Sequence, residues 1–301
     1  MKTSVMVLLI IAVSLVAVGL ILCVVGLALS PGETIGEKFL SLGKSDFVSE
    51  ETVVSEEISG LDLQVSTARV EILKATDGVT KVALHERVQE KSEVTVKDGV
   101  LTIRPKETEW YKKISFFSFG TSTVTVYLAE PMLETVQIKT STGNVRVAEE
   151  IAAKNASVEF STAKIDFFGS ASEMLRIHGS TGDVRVSGSF GEVAVQTSTG
   201  DITLGGSAET VTIKVSTGEI DLERLTVTGA MTLWSSTGDI SIEDCSVASA
   251  TITTDTGDVK GRFTSPMIFF ATSDTGRVRV PESTEGGLCK ITTDTGNIIF
   301  E

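Results

Sequence analysis

The chain is poor in the residues that most catalytic and metal sites require. It has two histidines, His85 and His178, in different sections of the sequence, and three cysteines without a C-x-x-C spacing. These residues form neither a histidine-based triad nor a zinc cluster. Phosphate-loop and dinucleotide fingerprints are also absent from the sequence. We therefore predict that the protein is not an enzyme, and that it has no catalytic residue, no cofactor and no metal site.

Basic residues, aromatic residues and proline are also scarce. The 26 Lys and Arg residues are outnumbered by 40 Asp and Glu residues, which gives a formal charge of −14 and argues against a nucleic-acid partner. Aromatic residues make up 6% of the chain, which suits short strands and tight turns rich in Thr, Ser, Val, Ile and Gly. With 5 prolines and 27 glycines, the chain is neither collagen-like nor a proline-rich stalk.

One long apolar run lies at the N-terminus. Residues 5–29 carry no charge, and at about 1.5 Å per residue a helix of this length spans a hydrocarbon core of about 30 Å. The run is longer than the apolar stretch of about 7–15 residues in a cleaved signal peptide. A lipoprotein signal is disfavoured because Leu22 stands before Cys23, where a small residue is needed. We predict an uncleaved transmembrane signal anchor over residues 5–29.

The residues around this run predict the topology of the chain. Lys2 precedes the span, and Glu33, Glu37 and Lys38 follow it, so the positive-inside bias favours a cytoplasmic N-terminus at residues 1–4. The polar, turn-rich residues 30–50 are predicted to be a juxtamembrane linker. We expect a single-pass protein of the cell membrane whose C-terminal body is extracytoplasmic, with the cytoplasmic membrane as a partner of the N-terminal helix.

The most informative feature is a phrase, Ser/Asp-Thr-Gly-x-Val/Ile, that recurs about every nineteen residues. A degenerate copy, Ser161-Thr162-Ala163-Lys164-Ile165, lies between the first two full copies. The phrase glycines are Gly143, Gly182, Gly200, Gly218, Gly238, Gly257, Gly276 and Gly296. A fixed period of this size indicates stacked repeats, each too small to bury its apolar face alone.

Each repeat has two short alternating apolar segments, which predict two strands with one buried face. The apolar pairs after the glycine are Val184/Val186, Ile202/Leu204, Ile220/Leu222, Ile240/Ile242 and Val278/Val280; those before the next phrase are Val193/Val195, Val211/Ile213, Met231/Leu233 and Ile268/Phe270. We therefore predict an all-β fold, a β-helix-like solenoid of parallel coils over residues 136–301. The alternative is an antiparallel meander with Thr-Gly hairpin turns.

The preceding residues 51–135 are predicted to be a diverged N-terminal β section. Ser66-Thr67-Ala68-Arg69-Val70 resembles the phrase and marks a candidate first coil. The aromatic cluster Trp110–Phe119 either covers the open end of the stack or contacts a membrane surface or a partner.

Three sets of repeated residues are candidates for function. The phrase threonines form either an ordered surface for water, ice or sugar, or a set of hydroxyls that cap turns and bond between coils. The acidic column that follows the glycine must extend into solvent, accept turn N–H groups or share a cation, and Asp255 with Asp258 makes calcium conceivable. Its members are Asp183, Asp201, Glu219, Asp239 and Asp258. Asp239 and Asp258 also form the pair that a glycan-cleaving β-helix would use, although other coils carry the same residue type.

Cys245 and Cys289 occupy different columns of the repeat. They are either two small buried thiols or a disulfide pair.

The order of these motifs resembles a family of bacterial envelope proteins called "putative adhesins", which is defined by a β-strand-repeat domain of unknown function. The resemblance covers about residues 45–301 and includes Val65–Ile72, the Ser-Thr-Gly series and the spacer 281–287. It implies an exported, membrane-tethered, adhesin-like binding or scaffold protein of the cell envelope, with a cell-wall glycan or an envelope protein as partner. The alternatives are an envelope-stress sensory or regulatory protein that acts through a membrane partner and, third, a glycan-active β-helix enzyme.

Overall fold

The computed structural model describes residues 47–88, 90–106 and 121–301, which form strands and turns without an α-helix. Within these ranges, therefore, nothing forms an apolar helix that could cross a membrane. The predicted N-terminus 1–4, the predicted anchor 5–29, most of the predicted linker and the aromatic cluster 110–119 lie outside the described residues. The first strand begins at Phe47, inside the range 30–50 that was predicted as linker.

The strands fall into an N-terminal group and a regular group. The N-terminal strands are β1 (Phe47–Val53), β2 (Gly60–Val65), β3 (Arg69–Lys74), β4 (Lys81–Arg87), β5 (Ser92–Lys97), β6 (Val100–Pro105) and β7 (Thr123–Leu128). The regular strands are β8 (Met132–Thr140), β9 (Val145–Val147), β10 (Ala152–Thr162), β11 (Ile165–Phe167), β12 (Ser170–Thr181), β13 (Val184–Thr199), β14 (Ile202–Thr217), β15 (Ile220–Thr237), β16 (Ile240–Thr256), β17 (Val259–Phe263), β18 (Met267–Thr275), β19 (Val278–Arg279), β20 (Gly287–Thr295) and β21 (Ile298–Phe300).

The regular strands stack in parallel, one coil on the next, which confirms the solenoid and rules out the meander for this part of the chain. β13 pairs with β14 along nearly its whole length, and Thr199 lies opposite Thr217. β14 pairs with β15 in the same way, with Thr217 opposite Thr237. In β13 to β16 the two predicted strands of a repeat and the bend between them form one continuous strand, because the coil-to-coil hydrogen bonds persist through the bend.

The apolar residues of both strand halves meet in one continuous core. The pairs after the glycine in β13 to β16 are buried, and so are the pairs before the next phrase in β13, β14 and β15. Since side chains on a strand alternate between faces, the intervening polar residues stay outside. Each coil therefore adds one apolar layer to an interior that no single repeat could close.

The phrase glycines are required by two constraints. Seven of them, Gly143 being the exception, have φ between 133° and 159°, a conformation that L side chains rarely adopt. The coils also approach so closely here that a Cβ atom at Gly218 would overlap the carbonyl oxygen of Gly200. Ala163, which replaces the glycine in the degenerate copy, lacks a positive φ, and the residue is buried.

Antiparallel strands close the N-terminal end of the stack. The predicted first coil is confirmed, because β2 and β3 lie parallel to β8 and β9. On the other side of this coil, β6 and β7 are parallel to β2 and β3. β5 then pairs antiparallel with β6, β4 with β7 and β1 with β4.

At the C-terminal end, the order of the coils in space differs from their order in the sequence. β16 pairs with β20 rather than with β18, and β18 pairs with the other edge of β20. The same exchange brings β21 between β17 and β19. The last coil of the chain is therefore inserted between its two predecessors, and residues 267–280 form the end of the stack. We call these residues the end coil.

In the end coil, the predicted inward-facing pair Ile268/Phe270 is wrong. Phe269 and Ala271 lie opposite the buried residues Cys289 and Ile291 and pack against the core. Phe270 points outward with 60% of its surface exposed. The predicted alternation was shifted by one residue, which exchanges the two faces of a strand.

We expect Gly218→Ala to lower the free energy of unfolding by about 3 kcal/mol, since it combines a disfavoured φ with overlap of the Gly200 carbonyl oxygen. Gly78→Ala is the matched control, because Gly78 also has a positive φ, 71°, but nothing lies near its Cβ position; it should cost about 1 kcal/mol. Urea titration followed by circular dichroism measures both losses. Equal losses would contradict the role assigned to coil-to-coil contact.

Candidate functional site

The acidic column is a hydrogen-bonded ladder between coils. Asp183 Oδ1 accepts the backbone N–H of Asp201 at 3.2 Å, and Asp201 Oδ1 accepts that of Glu219 at 2.9 Å. Asp239 Oδ1 accepts the N–H of Asp258 at 2.8 Å, and Asp258 Oδ1 accepts that of Asn297 at 2.7 Å. Of the three predicted alternatives, these carboxylates therefore accept turn N–H groups.

The hydrogen bonds of this ladder give a structural role to Asp239 and Asp258, which were considered as calcium-binding or catalytic residues. Asp239 and Asp258, the pair considered for glycan cleavage, are consecutive acceptors in the ladder. Asp255 is exposed at the start of its phrase. Throughout the described ranges, three or more His, Cys, Asp or Glu side chains nowhere converge as a metal site would require. The four aspartates of the column therefore fix turns, because one carboxylate oxygen of each accepts a backbone N–H group of a neighbouring coil.

The phrase threonines form an exposed row, and their hydroxyls take no part in the side-chain hydrogen bonds of the described residues. The hydroxyls that cap the turns come instead from inward-facing residues two positions earlier. Thr254 Oγ1 donates to the Gly238 carbonyl at 3.4 Å, Thr293 Oγ1 to that of Gly257 at 3.2 Å, and Ser273 Oγ to that of Gly296 at 2.8 Å. In the sequence, these inward-facing residues occupy the buried face of the period-two alternation. A hydroxyl residue at such a position was the signal that could have identified them.

In the described part of the chain, the histidines and cysteines do not come together in a reactive cluster. His85 lies on β4, where Nδ1 is 2.9 Å from Ser49 Oγ, whereas His178 lies exposed on β12. Cys245 and Cys289 are both buried as free thiols. Burial raises the pKa of the Cys289 thiol to about 12 and also raises that of Cys245. Both thiols therefore stay protonated at neutral pH and are poor nucleophiles.

An open groove has a volume of about 1390 Å³. It runs along the bend of the coils and crosses residues 132–134, 152–154, 170–172, 189–191, 207–209 and 228. With coils about 4.8 Å apart, these six positions extend over about 24 Å. Residues 53–59 and 129–130 line it at the N-terminal end. We call this feature the serine groove.

The groove crosses coils of different length. The steps from Gly182 to Gly200 and from Gly200 to Gly218 are 18 residues each, whereas the step from Gly218 to Gly238 is 20. The longer coil carries two extra residues, and one of them, Arg224, bulges with a positive φ of 48°. Thr228 of this longer coil lines the groove. Sequence reasoning missed the groove.

A row of serines forms the polar floor of the groove. Ser207 Oγ donates to Ser189 Oγ at 3.2 Å, and Ser170 Oγ accepts the backbone N–H of Ser189 at 3.3 Å. These serines occupy the same place in successive coils. The floor therefore offers hydroxyl groups at a regular spacing to an extended ligand.

The groove lining is acidic, with an apolar margin. Its charged residues are Glu56, Glu57, Glu130, Glu134, Lys154 and Glu209. The single lysine is already paired, since Lys154 Nζ lies 2.6 Å from Glu134 Oε2, and this hydrogen bond raises the pKa of Lys154. Val53, Val79 and Met132 expose large apolar surfaces in the lining. The groove thus favours a cationic or neutral ligand over an anionic one.

Comparison with known proteins identifies relatives of the fold. The profile of a family described as Toastrack DUF4097 matches residues 58–299. A "putative adhesin" from Parabacteroides distasonis aligns with 14% identity and a TM-score of 0.56, covering 86% of this chain and 98% of that one. A "Putative lipid binding protein" from the same species gives 14% identity, a TM-score of 0.55 and the same coverages.

A "putative adhesin" from Parabacteroides merdae aligns with 12% identity and a TM-score of 0.52, covering 86% of this chain and 98% of that one. Curated proteins yielded no match. At these identities the solved structures are similar in fold alone.

We expect Asp258→Ala to lower the free energy of unfolding by about 1–2 kcal/mol, because the Asn297 N–H loses its acceptor. Asp258→Asn is the control, since its amide oxygen can still accept this bond and should preserve most of the stability. Thermal and urea unfolding with and without calcium measure the difference. If Asp258→Asn is as harmful as Asp258→Ala and calcium stabilises only the natural protein, the column is a metal site instead.

The pH dependence of the free energy of unfolding tests the electrostatic environment of Asp221. Partial burial raises its pKa, and nearby Asp201 and Glu223 raise it further, against the opposing effect of Lys260. The folded state therefore disfavours the charged carboxylate, so Asp221→Asn should increase the free energy of unfolding at pH 7. This gain should shrink as the pH falls through the raised pKa and vanish near pH 3, where the carboxyl is protonated in both states.

Asp166→Asn is the comparison, because Asp166 is paired with Lys164 Nζ at 3.2 Å. It should give no gain at pH 7. Urea titrations of both variants at several pH values check the sign, and a gain for Asp221→Asn that grows on acidification would contradict it.

Proposed function

Since the chain belongs to the Toastrack DUF4097 family, we propose that it is a non-catalytic binding protein of the bacterial cell envelope. Its predicted anchor holds it in the cytoplasmic membrane, with the solenoid outside. The serine groove is the observation that carries the proposal, because it is open, elongated and lined by side chains suited to binding. The described titratable residues in it include neither histidine nor cysteine, and its acidic side chains are those of a binding surface.

The partner that fits the groove best is an extended, basic segment of another envelope protein. Glu56, Glu57 and Glu209 can pair with lysine or arginine side chains, and the serine row can bond to an extended backbone. The exposed Val53 and Met132 provide contact for apolar side chains. An anionic wall polymer would meet like charge in the groove.

A neutral glycan and a lipid fit less well. Phe190 is the aromatic residue of the lining, and its ring is buried beneath the floor, so it is not a platform for a sugar ring. The relative described as lipid-binding shares the fold at 14% identity, but a floor of hydroxyls is a poor surface for an acyl chain. Binding of a protein partner is also consistent with the second candidate function, which is regulation through a membrane protein.

Site-specific photo-cross-linking in intact cells tests this function. A benzoylphenylalanine at position 207 should capture a protein partner, and protease added outside the cells should remove the cross-linked product. The same residue at position 217, in the exposed threonine row of the same strand β14, is the matched control. We expect cross-linking at position 207 to exceed that at position 217 and to fall about tenfold when Glu57→Lys and Glu209→Lys reverse the charge of the lining.

The identity of the captured molecule decides between the functions. A signalling membrane protein would favour the regulatory role, and a structural envelope protein would favour the scaffold role. Capture of wall glycan alone, or equal capture from both positions, would overturn the assignment of the groove to a basic protein segment.

A further inference from the structure

The end coil has one free edge along its length. In the described part of the chain, β18 pairs only with β20, and β19 pairs only with β21. The other edge of each strand presents its N–H and C=O groups without a strand partner. Such an edge is a template for pairing with another chain.

The apolar core is also open at this end. Val278 is 41% exposed, although its neighbours in the column, Val259 and Ile298, are 0% exposed. Phe269, Ala271 and Val280 pack against the core but remain partly exposed. The end coil therefore presents a cross-section of the solenoid interior to its surroundings. A solenoid requires a covered end for solubility.

Charge is distributed asymmetrically along the end coil. Arg277 and Arg279 follow the phrase glycine at one end, where Asp274 leaves a net charge of +1. Glu282 and Glu285 lie in the loop that returns to β20, at the opposite end. The location of this loop follows from Gly286, which packs on the backbone of Pro266 at the bend. All five charged residues are exposed.

From these features we propose that the end coil pairs with the end coil of a second copy of this chain. A two-fold axis along the sheet normal would place β18 antiparallel to its copy and β19 antiparallel to its copy in one rotation. The same rotation covers Val278, Phe269 and Ala271 with the end coil of the second copy. The contact is isologous and closed, so it yields a dimer instead of a filament.

Charge complementarity favours this occupant. The rotation exchanges the two ends of the coil, so Arg277 and Arg279 of each copy face the loop with Glu282 and Glu285 of the other. The N-terminal end of a second copy is a poorer match, because its strands β4 and β5 run antiparallel to their neighbours and do not continue the coil geometry.

Sedimentation of the full chain in detergent tests the proposal. We expect a concentration-dependent dimer, and Val278→Lys should weaken self-association at least about 100-fold by placing a charged side chain in the apolar contact of each copy. Val88→Lys is the matched control, because Val88 is an exposed valine near the N-terminal end of the stack, 49% exposed. It should leave the dimer unchanged.

A charge exchange provides a second, independent variant in case Val278→Lys fails to fold. Arg279→Glu should weaken the dimer, and the addition of Glu282→Arg and Glu285→Arg should restore it. A natural chain that stays monomeric at about 100 µM would overturn the proposal. So would a dimer that persists in Val278→Lys, or one that Val88→Lys disrupts equally.

Discussion

The structure depends on the close, in-register approach of one coil to the next. Strand pairing fixes the spacing at about 4.8 Å, and at the phrase turns even the backbone atoms of successive coils come into contact. A glycine there provides the unusual φ and leaves room for the carbonyl oxygen below it. The acidic ladder and the buried hydroxyls then satisfy the turn groups that this approach leaves free. Core packing, turn geometry and polar contacts thus share one repeat distance.

The sequence predicted the features that repeat and missed those that differ between coils. Recurrence of the phrase glycine and alternation of Val184 with Val186 were sufficient for a parallel solenoid, because both reflect constraints present in every coil. The inserted position of β20 was not predictable, since β16 offers the same hydrogen bonds to either successor. At Phe269, four large apolar residues in succession concealed which face was inward. The burial there was decided by contact with Cys289 and Ile291.

The candidate site likewise has a repeated feature that the sequence revealed and a surface that it did not. The acidic column was visible in the sequence, but its use was decided by an interatomic distance between coils, which spacing along the chain does not give. The serine groove brings segments that are distant in the sequence, residues 53–59 and 189–191 among them, to one surface. A repeat protein can therefore acquire a binding surface without a distinctive motif, because stacking places side chains from many coils side by side.

The insertion of the last coil has a mechanical consequence. Strand β21 is bonded to β17 on one side and to β19 on the other. Tension applied at Glu301, directly after this strand, therefore loads two rows of hydrogen bonds together, in shear along the strands. Had the coil of β20 and β21 formed the outermost layer, the same tension would have peeled a single row apart one bond at a time. The exchange of two coils makes β21 resistant to unzipping under load.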